Sequence, residues 1–486
     1  MTDAWGRNLA VWLAGACAVL ACLAPTPGRA AEGDTPVFRA GAAISNITPP
    51  LGSLIVGNWE APPATHVHDD LHARSLVLDD GERRLAIVIC DSLAIDRQVF
   101  DAARRRLEER TGIPPECMLM AATHTHSGPL ARRSQNFAPY EDLTEYQQFV
   151  VDRIVDGVQC ALNNLEPAQI GWGSGEEPEQ VHCRRWYVDD PSLTLSPFGH
   201  HDKVRMNPPG GHEALVKPAG PTDPEIAFLA VRSVDGRPIA LLANYSLHYV
   251  GGVPKGHISA DYFAVFADRV QELLGADRLD PPFVGILSNG TSGDINNVNF
   301  REPRPKRAPY EQIHRVANDV ATEVYRVYQT IEFRGDARLG ARMRELTLEV
   351  RKPDEATLEW AREILAKPEA ECGPRQRSYA RKALAHDEAP AHFDIRVQAL
   401  RIGDVGVAAI PFETFAETGL RLKAEGPLPV TFTISLANGG YGYLPTPAQH
   451  ELGGYETWLG TSRVAPDSEP AIVAALLEQL RELAAE

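Results

Sequence analysis

The fold is decided by residues 83–124, RRLAIVICDSLAIDRQVFDAARRRLEERTGIPPECMLMAATH. The apolar run at 83–92 is rich in Ile and Val and predicts a buried strand. Residues 96–112 predict a helix closed by Gly112, and residues 117–124 predict a second strand. A strand, a helix and a strand in this order form a βαβ unit, so we expect two adjacent parallel strands joined by a right-handed crossover.

The alternation of helices and strands continues along the chain. The pattern predicts further strands at 238–248 and 283–290, helices at 143–164, 260–275, 310–329 and 468–485, and a hairpin at 395–413. We therefore predict the α/β class, with helices and mixed sheets layered in an αβα arrangement. No clean linker interrupts residues 37–486, which we predict to be one catalytic domain carrying a helical insertion at 353–390.

Composition and charge exclude several classes of function. The 486 residues carry 48 Lys and Arg against 65 Asp and Glu, which gives a net charge of −17. A nucleic-acid-binding protein needs a basic face, so we expect no nucleic-acid partner. The segment GTSGDINN at 290–297 lacks the lysine of a phosphate-binding loop, which argues against nucleotide binding. No G-x-S-x-G motif is present, which argues against a serine α/β-hydrolase.

The first thirty residues have the pattern of a secretory signal peptide. Arg7 precedes the 16-residue apolar run LAVWLAGACAVLACLA, and the small-residue stretch GRAA follows. The run is short for a membrane-spanning helix. We therefore expect an exported protein, periplasmic or secreted, without a transmembrane segment after cleavage; a lipoprotein anchor at Cys22 is the less favoured alternative.

Side chains that bind metals recur where predicted strands end. They are Asp91, His124, His126, His248, Asp294, Glu413 and Tyr443. Zinc takes neutral imidazole nitrogens and carboxylate oxygens, and a catalytic zinc keeps one position open for water.

The pair of histidines in ATHTHSGP leaves two roles open. On an extended segment, His124 and His126 point to the same face, so both bind one metal or one binds it while the other handles protons. Taken singly, His248 also fits a hydrogen-bonded core residue, Glu413 a helix cap and Tyr443 a residue packed in a turn.

An ordered set of motifs resembles the neutral/alkaline ceramidase family across roughly residues 37–465. The motifs are AAISNITPP (42–50), ATHTHSGP (122–129), NYSLH (244–248) with ISAD (258–261), NGTSGDINN (289–297), AAIPFETF (408–415) and LANGGYGYLPT (436–446) followed by Tyr455. The resemblance implies a zinc-dependent enzyme that cleaves the amide of ceramide into a sphingoid base and a fatty acid.

The resemblance also implies roles for individual residues. The metal ligands of one zinc ion per chain would be His124, His248, Glu413 and Tyr443. The remaining members of the implied active site are His126 near the reacting carbonyl, Tyr455 near the substrate, Arg184 (with Arg185 as a rival) and Asn296.

Two departures from the family pattern concern the substrate. The family has Gly-Asp-Val-Ser-Pro-Asn where this chain has GDINNV at 293–298, so the serine position is occupied by Asn296. Members of the family also carry a C-terminal β-sandwich domain, and we expect none here. Both departures favour a substrate other than membrane-embedded ceramide.

The chemistry that we predict does not need the serine. A zinc ion in the site would supply an activated water for attack on an amide carbonyl. His126 would move the proton to the leaving amine, and Tyr455 and Arg184 would donate hydrogen bonds to the oxyanion. We expect Asp91, Asp261 and Asp294 to hydrogen-bond the histidines, with a structural role in turns as the alternative for Asp261 and Asp294.

Three functional hypotheses follow from this reading. The first is a ceramidase-like amidohydrolase acting on a small-molecule or lipid amide. The second is a zinc hydrolase of a different amide or ester, and the third is a non-catalytic binding protein that retains the pocket. The oligomeric state is left open by the sequence.

Overall fold

The computed structural model describes residues 37–57, 60–133, 140 and 142–486. The signal peptide predicted at 1–30 lies outside the described residues. The strands are β1 Arg39–Asn46, β2 His66–Val67, β3 His72–Asp79, β4 Arg84–Cys90, β5 Met118–Ala122, β6 Glu166–Glu176, β7 His182–Cys183, β8 Arg185–Val188, β9 Val204–Met206, β10 Leu215–Pro218, β11 Glu225–Ser233, β12 Pro238–Tyr245, β13 His257–Ile258, β14 Val284–Asn289, β15 Ile295–Asn296, β16 Leu339–Glu349, β17 His392–Ile402, β18 Val405–Ile410, β19 Glu413–Thr414, β20 Val430–Ser435 and β21 Tyr443–Leu444. The α-helices are α1 Arg97–Thr111, α2 Glu145–Asn163, α3 Tyr262–Leu273, α4 Glu311–Tyr328, α5 Glu355–Ala366, α6 Gln376–Glu388, α7 Ala416–Glu425, α8 Pro447–His450 and α9 Ser468–Ala485.

The predicted βαβ unit is present. β4 and β5 pair in parallel, with Ala86 opposite Met118, and α1 connects them. The helix ends at Gly112, whose φ of 70° lies in the left-handed region and whose N–H donates to the carbonyl of Glu108. Glycine reaches this conformation without a steric penalty, which is why the sequence places it at the helix end.

Two mixed sheets form the β layer. The larger sheet has the strand order β14-β12-β11-β6-β1-β3-β4-β5, and the smaller one has the order β16-β17-β18-β20. Both sheets contain parallel pairs, β12 with β14, β4 with β5 and β18 with β20, among antiparallel neighbours.

Alternating side chains show how the two sheets pack. Leu242 of β12 and Val407 of β18 belong to one buried cluster, so these faces of the two sheets meet. Leu241 of β12 lies on the opposite face and packs with α3 and α4, and Ala408 of β18 packs with α9. The predicted α/β class with helices layered on mixed sheets is therefore confirmed, and its β layer is two sheets deep.

The segment predicted to be a helical insertion contains α5 and α6. Ala361 of α5 and Ala380 of α6 pack in a small cluster of their own, together with Leu459. Among the helices of the described residues, none is both long and apolar enough to cross a bilayer.

Candidate metal centre

Three histidines converge at the carboxyl ends of strands from the larger sheet. The Nε2 atom of His124 lies 3.1 Å from Nε2 of His248 and 3.2 Å from Nε2 of His126. Each residue offers a ring nitrogen within 4.8 Å of the other two, which is the spacing of a metal site. His124 and His248 are 124 positions apart in sequence and follow β5 and β12, which lie near opposite edges of the larger sheet, so tertiary packing brings them together.

The hydrogen bonds of the opposite ring nitrogens determine the tautomers. Nδ1 of His124 lies 2.8 Å from the carbonyl oxygen of Leu93, and Nδ1 of His248 lies 3.1 Å from that of Ser292. A carbonyl only accepts, so both Nδ1 atoms carry a proton and both Nε2 atoms present lone pairs in the neutral rings.

This arrangement fits a cation. Two lone pairs facing each other at 3.1 Å repel unless a positive charge lies between them. Burial, with the charges of Arg184, His124 and His126, holds the pKa of His248 well below its usual value, so a proton is disfavoured there. Two nitrogens on a tetrahedral zinc, each about 2.0–2.1 Å from the ion, lie about 3.3 Å apart, close to the observed separations.

Glu413 adds a carboxylate to the cluster. Its Oε2 atom lies 3.2 Å from Nε2 of His124 and 3.9 Å from Nε2 of His248, and it accepts no conventional hydrogen bond from the described residues. Burial acts to raise the pKa of Glu413, but His124, Tyr443 and Arg184 together hold it below the usual value. The carboxylate is therefore ionised, as a metal ligand must be.

Tyr443 reaches the cluster through Glu413. The short strands β19 and β21 pair in parallel with Glu413 opposite Tyr443, and the Tyr443 side chain acts to lower the pKa of Glu413. The Tyr443 hydroxyl accepts a hydrogen bond from Nη2 of Arg184 at 3.0 Å. Burial raises the pKa of Tyr443 well above its usual value, and Arg184 acts in the opposite direction.

The chain is not extended at the histidine pair, contrary to our expectation. β5 ends at Ala122, and His124 has a φ of 75°, in the left-handed region. A non-glycine residue in this region is strained, and such strain persists where the surrounding structure holds it. The turn, and not the alternating side-chain directions of a strand, brings the rings of His124 and His126 close together.

His126 also faces a cavity of about 400 Å³. Tyr249 stacks on its ring, with centroids 3.7 Å apart and planes 13° from parallel, and lines the same cavity. Asn296 lies on the cavity wall, and its Nδ2 atom donates to Oδ1 of Asn207 at 3.4 Å. His126 is thus the member of the histidine cluster that meets the space available to a substrate.

The predicted Arg184 belongs to a buried ion-pair network. Its Nε atom donates to Oε1 of Glu456 at 2.8 Å, and Nη1 of Arg185 donates to Oε2 of the same carboxylate at 2.7 Å. Arg184 rather than Arg185 contacts Tyr443, and Tyr455 packs edge-on against Tyr443 with ring centroids 5.7 Å apart. Arg184 and Tyr455 therefore lie beside the histidine–carboxylate cluster, and Arg185 binds the second oxygen of Glu456.

The carboxylates that we expected on the histidines are bonded elsewhere. Asp91 accepts from Arg74 at 2.5 Å and from the N–H of His72. Asp261 accepts from the N–H groups of Val250, Gly251 and Tyr262, and Asp294 accepts from the N–H of Ala416. The expectation that these carboxylates bond the histidines was wrong, because main-chain carbonyls bond Nδ1 of His124 and His248; the alternative of a structural role holds for Asp261 and Asp294.

Two residues of the site were missed from the sequence. Tyr249 follows His248 directly, but nothing in the pattern indicates that its ring covers His126. Glu456 follows Tyr455, and its fully buried carboxylate is matched by the adjacent Arg184 and Arg185. The available signals were a Glu that directly follows Tyr455 and the distant pair Arg184 and Arg185, yet 271 positions separate Arg185 from Glu456.

The fold and the site define a class: an α/β protein with a buried histidine–carboxylate cluster, suited to a metal ion, at the ends of its strands. The family model for the neutral/alkaline non-lysosomal ceramidase N-terminal region matches residues 38–304. The chain belongs to this family.

Known relatives are distant in sequence and similar in fold. Neutral ceramidase A of Dictyostelium discoideum is 23% identical over 288 residues, which are 56% of this chain and 37% of that protein. The crystal structure of neutral ceramidase from Pseudomonas aeruginosa has a TM-score of 0.67 at 17% identity, covering 93% of this chain and 75% of that one. A ceramidase complexed with C2 has a TM-score of 0.68 at 18% identity, covering 92% and 75%. The chain thus spans well under half the length of its curated relative.

Proposed function

We propose that this protein is a zinc-dependent amidohydrolase that cleaves N-acylsphingosine or a related amide. The observation that carries the proposal is the group of imidazole nitrogens 3.1 and 3.2 Å apart, with a carboxylate oxygen beside them, at the wall of a cavity. Membership of the ceramidase family supports the amide as the bond that is cleaved.

His124, His248 and Glu413 would hold the ion, with Tyr443 as the fourth ligand. Zinc, when bound in such a set, lowers the pKa of water to about 7 and polarises a carbonyl group. The carbonyls of Leu93 and Ser292 orient the two imidazoles and keep their lone pairs inward. Arg184 donates to the Tyr443 oxygen, which favours loss of the phenol proton.

His126 is placed to move a proton at Nε2. It lies on the cavity wall, and burial, with the charges of His124 and Arg184, holds its pKa well below the usual value. The ring is therefore neutral at pH 7 and accepts a proton during the reaction. The stacked ring of Tyr249 keeps the imidazole in one orientation. Asn296 contributes an amide that orients the substrate but has no nucleophilic oxygen.

The test combines metal content with turnover. We expect about one zinc per chain by elemental analysis, and release of labelled fatty acid from N-acylsphingosine that chelation abolishes. Replacement of His248 by Ala removes both the metal and the activity, whereas His314→Ala, an exposed histidine on α4, changes neither. The proposal is contradicted if protein prepared with zinc available binds none. It is also contradicted if turnover survives in the His248→Ala variant.

A different amide or ester substrate is the second candidate. Asn296 at the family's serine position favours it. Zinc-dependent turnover of short N-acyl amides or esters, with no release from N-acylsphingosine, selects this candidate. Zinc binding without turnover of any of them selects a non-catalytic binding protein.

We also propose that residues 1–30 direct export. The charged start, the apolar run and the small residues at 28–31 support this. Expression of the full chain with N-terminal sequencing of the exported protein tests it. Retention of an uncleaved chain in the cytoplasm contradicts it.

A further inference from the structure

The cavity in front of His126 has one positively charged side chain in its lining. Among the described residues that line it, Arg304 is the one whose side chain carries a full charge at neutral pH, and no Asp or Glu is present. The rest of the lining is formed by Pro, Gly, Val, Phe, Ser, Tyr and two Asn side chains. A cavity whose described lining has one arginine and no acidic group is notable in a chain with a net charge of −17.

The Arg304 guanidinium is available to a ligand. The side chain is exposed and forms no ion pair or hydrogen bond with the described part of the chain. The nearest acidic residue in sequence, Glu302, accepts a hydrogen bond from Asn299 at 3.3 Å and lines an adjoining cavity of about 600 Å³, to which Arg304 also contributes. Arg301 on the same loop lies over the ring of Trp186, 5.0 Å from its centroid.

The backbone that carries Arg304 is held in place. Pro303 and Pro305 flank it and restrict the rotation of the chain on both sides. The N–H of Gly211 donates to the carbonyl of Phe300 at 3.0 Å, and a Cβ on Gly210 would come within 2.5 Å of the Glu302 carbonyl. The loop therefore presents the guanidinium from a fixed base, which lowers the entropy cost of binding.

The cavity lining also supplies a neutral donor. Asn296 donates to Oδ1 of Asn207, so the Asn207 amide nitrogen is left to donate to a ligand. A guanidinium and a carboxamide on one cavity match the oxygens of a carboxylate or a phosphate, which arginine binds through two parallel hydrogen bonds.

We propose that this cavity selects amide substrates that carry an anionic group, a carboxylate or a phosphate, and that Arg304 binds that group while the scissile amide lies at His126. This inference rests on the amidohydrolase function proposed above and narrows its substrate class. N-acylsphingosine carries no such group, so it lacks the partner that Arg304 would bind.

The experiment compares substrates that share one acyl chain. We measure kcat/KM for N-dodecanoylglycine, N-dodecanoyl-O-phosphoethanolamine and the neutral N-dodecanoylethanolamine with the zinc-loaded enzyme. A charge-assisted hydrogen bond changes binding by about 10- to 100-fold, so we expect the wild type to prefer an anionic substrate by that factor. The carboxylate and phosphate arms show which oxyanion is preferred.

Variants on the same loop locate the effect. Arg304→Gln should remove the preference through a rise in KM for the anionic substrate, and Arg304→Lys should restore part of it. Arg301→Gln, matched in charge and position along the loop, should keep the wild-type preference. The proposal is overturned if the wild type does not prefer an anionic substrate, or if the preference survives Arg304→Gln in a variant with the wild-type melting temperature.

Failure of the proposed function is separable from failure of this inference. If none of the amides is hydrolysed, the proposed hydrolase function fails. Binding of N-dodecanoylglycine and N-dodecanoylethanolamine to the wild type and to Arg304→Gln, measured by calorimetry, then decides the role of Arg304. Tighter binding of the anion that is lost in Arg304→Gln supports the anion site, and equal binding of both compounds refutes it.

Discussion

Replacement of Glu456 by Gln should destabilise the whole domain. The carboxylate is fully buried, and its two oxygens accept from Arg184 at 2.8 Å and from Arg185 at 2.7 Å. Gln keeps the shape and one acceptor oxygen but loses the negative charge. Two buried guanidinium groups then share a neutral partner, and the charges that Glu456 neutralised are left uncompensated.

The expected magnitude follows from that geometry. Removal of one partner from a buried ion pair costs about 3–5 kcal/mol. The unfolding entropy is about 2.1 cal/mol/K per residue, which over the span Pro36–Glu486 gives roughly 1 kcal/mol/K. The melting temperature should therefore fall by about 3–5 °C.

Thermal unfolding followed by circular dichroism measures this shift. Glu451→Gln, an exposed residue of the preceding loop, is the matched control and should melt with the wild type. Because buried charges are screened weakly, the shift should persist in high salt. A Glu456→Gln protein that melts within about 1 °C of the wild type would refute the reasoning, since less than about 1 kcal/mol would then separate the paired and unpaired arginines.

Two further predictions test the site and the pH response of the fold. Tyr249→Ala should lower kcat about tenfold, with a smaller change in KM, because the His126 ring loses the ring stacked on it. Tyr249→Phe retains the stacked ring and should keep most of kcat. Steady-state kinetics of both variants check this, and equal losses in the two would contradict it. Burial lowers the pKa of His386 to about 4, below its unfolded value near 6.5. The unfolded state therefore binds a proton at His386 more readily than the folded state as the pH falls from 6.5 towards 4. The free energy of unfolding should be about 2 kcal/mol lower at pH 5 than above pH 6.5 for this reason. Urea unfolding at pH 7.5 and 5 should show a smaller loss in His386→Gln than in the wild type, and an equal loss would oppose this assignment.

Local patterns predicted the elements that position the site. The βαβ unit, the helix end at Gly112 and the hairpin strands β17 and β18 follow from periodicity and turn residues, which act over a few neighbouring positions. The order of the motifs along the chain also indicated the family. These features need no knowledge of which distant segments meet.

The detailed contacts of the site needed the packed chain. The left-handed turn at His124 replaced the extended geometry that we expected, and main-chain carbonyls replaced Asp91, Asp261 and Asp294 as partners of the imidazoles. A main-chain carbonyl is present at every residue, so its identity as a partner cannot be inferred from side-chain type.

Residue types and strand patterns in the sequence indicated a metal site, the strands that carry it and a place for His126 beside His124. The packed chain was needed to stack Tyr249 on His126 and to set Glu456 between two arginines. The reason is that these contacts depend on the relative placement of segments far apart in the chain, which no local sequence pattern encodes.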